Sequence, residues 1–257
     1  MENKNWSKMY MLILWSITLV VILGGLAYNV GGFGFSRISS SAYADYDFSN
    51  QEFSSIDVDV AAADVDIRYG DDYMVSTNIS EKYRPTINVK NGKLTIQQKR
   101  TKHKLNSLKD ASIEITIPKG VELETIEIDA NAGDIDVDVL AGKQLIISAD
   151  AGDIDLNNLV FESASISADA GNIDLKDCNL GNITVEADMG EIELENVDFE
   201  NGKLSADMGN ISVDGSFKEL DAFCDMGSID ITTPNPNRDS MNLNVSLGSI
   251  SVNGEKW

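Results

Sequence analysis

Histidine occurs once and cysteine twice in 257 residues, and these near-absences narrow the chemistry at once. A lone His103 leaves no Ser-His-Asp set and no zinc-ligand spacing. Cys178 and Cys224 are too few for a disulfide framework. No glycine loop of the phosphate-binding kind is present, and no stretch after Tyr28 carries a helical period. Basic residues are also scarce: residues 129–257 hold 26 Asp and Glu against 6 Lys and Arg, so most of the chain's net charge of −22 sits there. That balance argues against nucleic acid and anionic lipid as partners of this half and favours cations or cationic ligands. A hydrophobic fraction of 42% is ordinary for a folded protein.

What is present begins with an apolar run. Residues 9–28, "MYMLILWSITLVVILGGLAY", carry no charge over 20 positions, enough to span a bilayer as a helix. Lys4 and Lys8 precede it and no basic residue follows before Arg37, so residues 1–8 are expected in the cytoplasm and the rest outside the cell membrane, a single-pass topology. A cleaved signal peptide is the rival reading, with Ala42-Tyr43-Ala44 as the small-x-small site, but the run exceeds the usual apolar core of such peptides. Residues 29–52, rich in Gly and Ser, read as a linker.

From residue 53 the sequence alternates apolar and polar residues, as in "SSIDVDV", "PTINVK" and "ASIEITIP", with Asn91-Gly92 as a hairpin signal. Residues 53–128 are therefore a β-rich region. Beyond it "SADAGDIDL" (148–156) returns as "SADAGNIDL" (167–175) and "EADMGEIEL" (186–194). The glycine of this motif stands at Gly133, Gly152, Gly171, Gly190, Gly209, Gly227 and Gly248, at spacings of 19, 19, 19, 19, 18 and 21. Two residues after it is always Ile, and four after it Val, Leu or Ile. Counting back from it, positions −1, −3 and −5 are apolar in nearly all copies and are expected to face inward. The inward set changes parity across the glycine, so the backbone turns there while both arms keep facing one interior. A fixed period with two short strands and no helix is the signature of a β-solenoid of about seven rungs over residues 129–257. A β-sandwich of hairpins is the alternative and does not require so constant a period.

Cys224 occupies register −3, where other copies have Ala130, Ala149, Ala168, Ala187 and Ala206; Cys178 occupies register +7, beside Leu140, Leu159 and Val197. Both are expected as buried free thiols. The outward registers are acidic. Register −2 includes Asp150, Asp169 and Asp188, register +3 includes Asp155 and Asp174, and register +1 adds Asp134 and Asp153. Stacking sets these carboxylates in columns, where like charges destabilise a sheet. Either the columns are solvated polar faces that also discourage edge aggregation, or they hold Ca²⁺ or another hard cation. On the second reading Asp150, Asp169, Asp188, Asp155 and Asp174 are the ligands, in a pattern that resembles half of the calcium-binding β-roll motif.

One basic cluster, "KRTKHKLNSLK" (99–109), stands between two expected strands; Lys99, Arg100, Lys102 and Lys104 are candidates for touching anionic wall polymer or lipid head groups. An enzyme of the β-helix polysaccharide type remains a third possibility, but the aspartates obey the repeat, and Arg238 is the only Arg in residues 129–257.

An apolar anchor, a linker, strands of the "SSIDVDVAAADVDIRYG" type, a strand ending "IEITIPKG" and repeats of "ADAGDIDL" together resemble the bacterial putative-adhesin β-strand-repeat family, which includes LiaG-like membrane-anchored envelope proteins. The resemblance spans roughly Phe53 to Val252. It implies a surface-exposed, membrane-tethered, non-catalytic β-solenoid, an adhesin or an accessory of the envelope-stress response; apart from the Ca²⁺ reading, no cofactor is expected. A divalent-cation-binding stalk is the alternative.

Overall fold

A computed structural model of the chain describes residues 43–99 and 110–257. The apolar run at 9–28 and all of the basic cluster except Lys99 lie outside them. Among the described residues the strands are β1 (Tyr43–Asp47), β2 (Ser55–Val60), β3 (Asp64–Gly70), β4 (Met74–Asn78), β5 (Thr86–Lys90), β6 (Lys93–Gln97), β7 (Ser112–Pro118), β8 (Leu123–Ala130) and β9 (Ile135–Asp138). They continue with β10 (Ala141–Ala149), β11 (Ile154–Asn157), β12 (Val160–Ala170), β13 (Ile173–Lys176), β14 (Asn179–Met189), β15 (Ile192–Met208), β16 (Ile211–Thr232), β17 (Met241–Val252) and β18 (Glu255–Lys256).

Each 19-residue repeat closes one rung: a short strand, a corner, a long strand and the glycine corner. Equal registers stack in parallel. On the short face Ile135, Ile154, Ile173, Ile192 and Ile211 align in one row. On the long face Ile128, Ile147, Ile166, Val185, Leu204, Ala222 and Leu243 align in another. The two rows face one continuous apolar core, and each of the five short-face isoleucines is fully buried. Burial of this kind, at roughly 1.5–3 kcal/mol per large aliphatic side chain, is what the stack gains and a lone rung cannot.

The glycine corner admits nothing larger. Gly171 has φ +148°, and a Cβ there would stand 1.9 Å from the carbonyl oxygen of Gly152 in the rung before. The opposite corner turns through a left-handed residue, Val139, Asn158, Asp177 or Asn196, with φ of 53° to 56°. Both irregular spacings fall at this second corner. Between β15 and β16 the register passes from Glu195↔Asp214 to Val197↔Gly215, so Asn196 has no counterpart and one spacing is 18. In the next rung the corner widens into residues 233–240, with a 3-10 turn at Arg238–Ser240, and the spacing becomes 21.

The stack does not follow chain order at its start. β2 lies between β6 and β8, and β3 between β7 and β9, all parallel. The expected β-rich region at 53–128 thus contributes rungs to the solenoid, and β8 itself crosses residue 128. Ala61 and Ala62 make the corner of the β2–β3 rung, and buried Gln98 closes it: its Oε1 accepts from both N–H groups at 3.0 and 2.9 Å, while its Nε2 donates to the Tyr83 carbonyl at 3.1 Å. Antiparallel strands cover the beginning of the stack. β5 pairs with β6 through the expected Asn91-Gly92 turn, β4 pairs with β7, and β1 pairs with β4. The other end folds back through Asn253-Gly254 into β18, with Trp257 against the Arg238 guanidinium at 4.1 Å. These devices blunt edges that would otherwise template aggregation.

Two expectations change. The linker drawn over 29–52 ends earlier, because Ala44 and Tyr46 half-bury themselves as β1 adds to β4. Register −1 was expected inward and instead points out: Ala151, Met189, Met208, Met226 and Leu247 are all exposed. The chain turns around the glycine, and the residue just before it already lies on the outside of the bend.

Candidate functional site

Three acidic registers flank the glycine corner, and each has a different local role. Register +1 is a structural ladder. The Oδ1 of Asp64 accepts the backbone N–H of Asp134, Asp134 accepts that of Asp153, and Asp153 that of Asn172, at 3.0, 3.0 and 2.7 Å. Asn172 continues it to Glu191 at 3.0 Å, and Asn210 to Ser228 at 3.0 Å. A short side chain with a carbonyl-like oxygen reaches one rung along and occupies the N–H that the bend leaves without a strand partner. Asp64, Asp134, Asp153, Asn172 and Asn210 each cap the corner in this way, whereas Glu191 accepts instead from the Asn210 side-chain amide.

Register +3 is the strained column. Glu114, Asp66, Asp136, Asp155, Asp174 and Glu193 stack on successive strands of the short face. Partial burial, reinforced by the neighbouring carboxylates, raises the carboxyl groups of Asp136, Asp155 and Asp174 above the usual range. Burial raises Asp66 as well, while the Arg68 guanidinium opposes it; Arg68 also pairs with Glu114. Asp155 and Asp174, expected as ligands, are neighbours in this column.

Register −2 is exposed from Asp150 onward, while Asn131 at its start is half-buried. Asp150, Asp169 and Asp188 stand at the ends of the long strands, beyond the bend from register +3, with Asn131 donating to Asp150. The five carboxylates expected to hold a cation are thus divided between two columns. Among the described residues no group of three or more His, Cys, Asp and Glu side chains converges as a metal site.

Lysines pair across rungs on the exposed faces, Lys143 with Glu124 at 2.8 Å and Lys176 with Glu195 at 2.7 Å. Cys178 and Cys224 are buried free thiols, as expected, and burial pushes both upward from the ordinary thiol value. Of the basic cluster only Lys99 is described.

A shallow open groove crosses the outer long face between Thr184, Glu186, Lys203, Asp221, Phe223, Asn242 and Asn244. Phe223 presents its ring there at the outward register where other rungs carry Ser148, Ser167, Glu186 and Ser205. This groove was missed from the sequence, because a single aromatic at an outward position does not announce which polar side chains the neighbouring rungs bring beside it.

Residues 53–256 match the family described as Toastrack DUF4097. In solved structures the chain is similar to a "putative adhesin" from Bacteroides fragilis, with 19% identity, a TM-score of 0.59, and 82% of this chain and 96% of that one covered. It is also similar to a "putative adhesin" from Parabacteroides distasonis, with 17% identity, a TM-score of 0.54, and 82% and 95% covered. At these identities the likeness establishes the shared fold. No curated protein matches the chain.

Proposed function

This chain belongs to the Toastrack DUF4097 family, and from that premise we propose that it is a non-catalytic interaction module of the cell envelope, adhesin-like, held to the membrane by residues 9–28 with the solenoid outside. The observation that carries the reading is that the chemistry of the surface repeats rung by rung. The acidic registers form columns along the stack, and the groove around Phe223 runs across four long strands on an open face. A long, periodic, open surface suits an extended partner that touches several rungs, since weak contacts in series add through effective concentration. The two similar structures, each described as a "putative adhesin", support this reading. The aromatic ring with amide and carboxylate neighbours favours an envelope polymer bearing hydroxyl and amide groups.

The test is sedimentation of the full chain, in detergent, with isolated cell-envelope polymer. Retention that falls several-fold in Phe223→Ser, a residue the other rungs already use at this register, supports the proposal. Equal retention of the two proteins, or none for either, overturns it.

A further inference from the structure

Sulfur forms its own column on this oxygen-rich surface. Met189, Met208 and Met226 each immediately precede the glycine corner of three successive rungs, and the strand register pairs Met189 with Met208 and Met208 with Met226. Their exposures are 51%, 45% and 48%, so the thioethers face solvent. The corner does not require them: the same register holds Ala132, Ala151 and Ala170 in earlier rungs, with the same bend. Leu247 ends the row in the last rung and offers no ligand.

In-register parallel strands set equal positions about 4.8 Å apart. Three thioethers therefore stand side by side, each on an unbranched stem with three rotatable bonds, free to turn toward one point between them. A thioether is a neutral soft donor that stays unprotonated and selects Cu(I) over hard ions. Next to each methionine is an exposed carboxylate, Asp188, Asp207 and Asp225, and the net charge of −22 concentrates cations at such a surface. The nearby thiol does not compete. Cys224, in the same rung as Met226, is buried with its Sγ 3.2 Å from the Gly209 carbonyl, facing the core.

We propose that Met189, Met208 and Met226 form a trithioether site for a soft monovalent cation, Cu(I) or its analogue Ag(I). The site is independent of the envelope-binding reading, since it uses neither the groove nor the acidic registers as ligands.

The experiment titrates the full chain in detergent with Ag(I) by calorimetry in chloride-free buffer. A parallel anaerobic titration has the protein compete for Cu(I) against a chromophoric chelator. Expected are a single saturable equivalent, a loss of affinity of about tenfold or more in Met208→Leu, and abolition in Met189→Leu/Met208→Leu/Met226→Leu. Leucine keeps the volume at exposed positions, and an unchanged thermal midpoint confirms that the fold is intact. Met74→Leu, at an exposed methionine elsewhere, should bind as the parent does. So should Cys178→Ala/Cys224→Ala. No binding by the parent, retained affinity in the triple variant, or loss of affinity in the cysteine pair would each overturn the proposal.

Discussion

Gly171 shows how one residue sets the bend. Its φ of +148° is open to glycine, but the tighter constraint is the Gly152 carbonyl oxygen, 1.9 Å from where a Cβ would stand. Gly92 in the β5–β6 hairpin separates the two effects, having φ +74° and nothing within 4 Å of an added Cβ. Gly92→Ala should therefore cost about 1 kcal/mol from backbone strain alone. Gly171→Ala adds a backbone clash that only a shift of the rung relieves, and should cost about 3 kcal/mol or more. Denaturant midpoints of the two variants decide this; similar values would mean that the rungs part easily at the corner.

At the scale of the strand, the short face carries its carboxylates at a cost. Asp66, Asp136, Asp155 and Asp174 have folded-state carboxyl groups raised above their ordinary value. The folded state thus binds more protons than the unfolded one in the acidic window, and stability falls as pH rises through it. Lowering the pH from 7 toward the ordinary carboxylate range, about pH 4, should raise the thermal midpoint. Asp47, lowered by its Ser49 hydrogen bonds, acts in the opposite direction only at lower pH. Asp136→Asn/Asp155→Asn/Asp174→Asn should raise the midpoint at pH 7 and flatten the pH profile. An unchanged slope in that variant would move the origin of the effect from this column to the total charge.

At the scale of the molecule, charge columns run the length of the stack and any salt screens them. The five aspartates expected as calcium ligands are split between two columns on either side of the glycine corner, and register +1 is occupied by backbone N–H groups. Sodium and calcium at equal ionic strength should therefore shift the thermal midpoint alike. A further rise with sub-millimolar calcium, lost in Asp155→Asn/Asp174→Asn, would instead show a ligand bound to the folded state.

The repeat itself was decided locally. A glycine at constant spacing, Ile two residues on and apolar residues at −3 and −5 dictate two arms facing one core, because side-chain direction alternates along any strand. The burial of Cys178 and Cys224 followed from the same registers. Other features depended on which strands come to lie together. Periodicity could not reveal that β2 enters between β6 and β8, since parallel pairing leaves no trace in the order of the chain. The outward direction of register −1 is another such feature, because parity alone does not fix on which side of a bend a residue lies. The same is true of the carboxylates. The sequence places acids in columns, but only the distance between rungs shows that Asp153 holds the N–H of Asn172, that Asp155 and Asp174 crowd each other, and that three methionines share one exposed row.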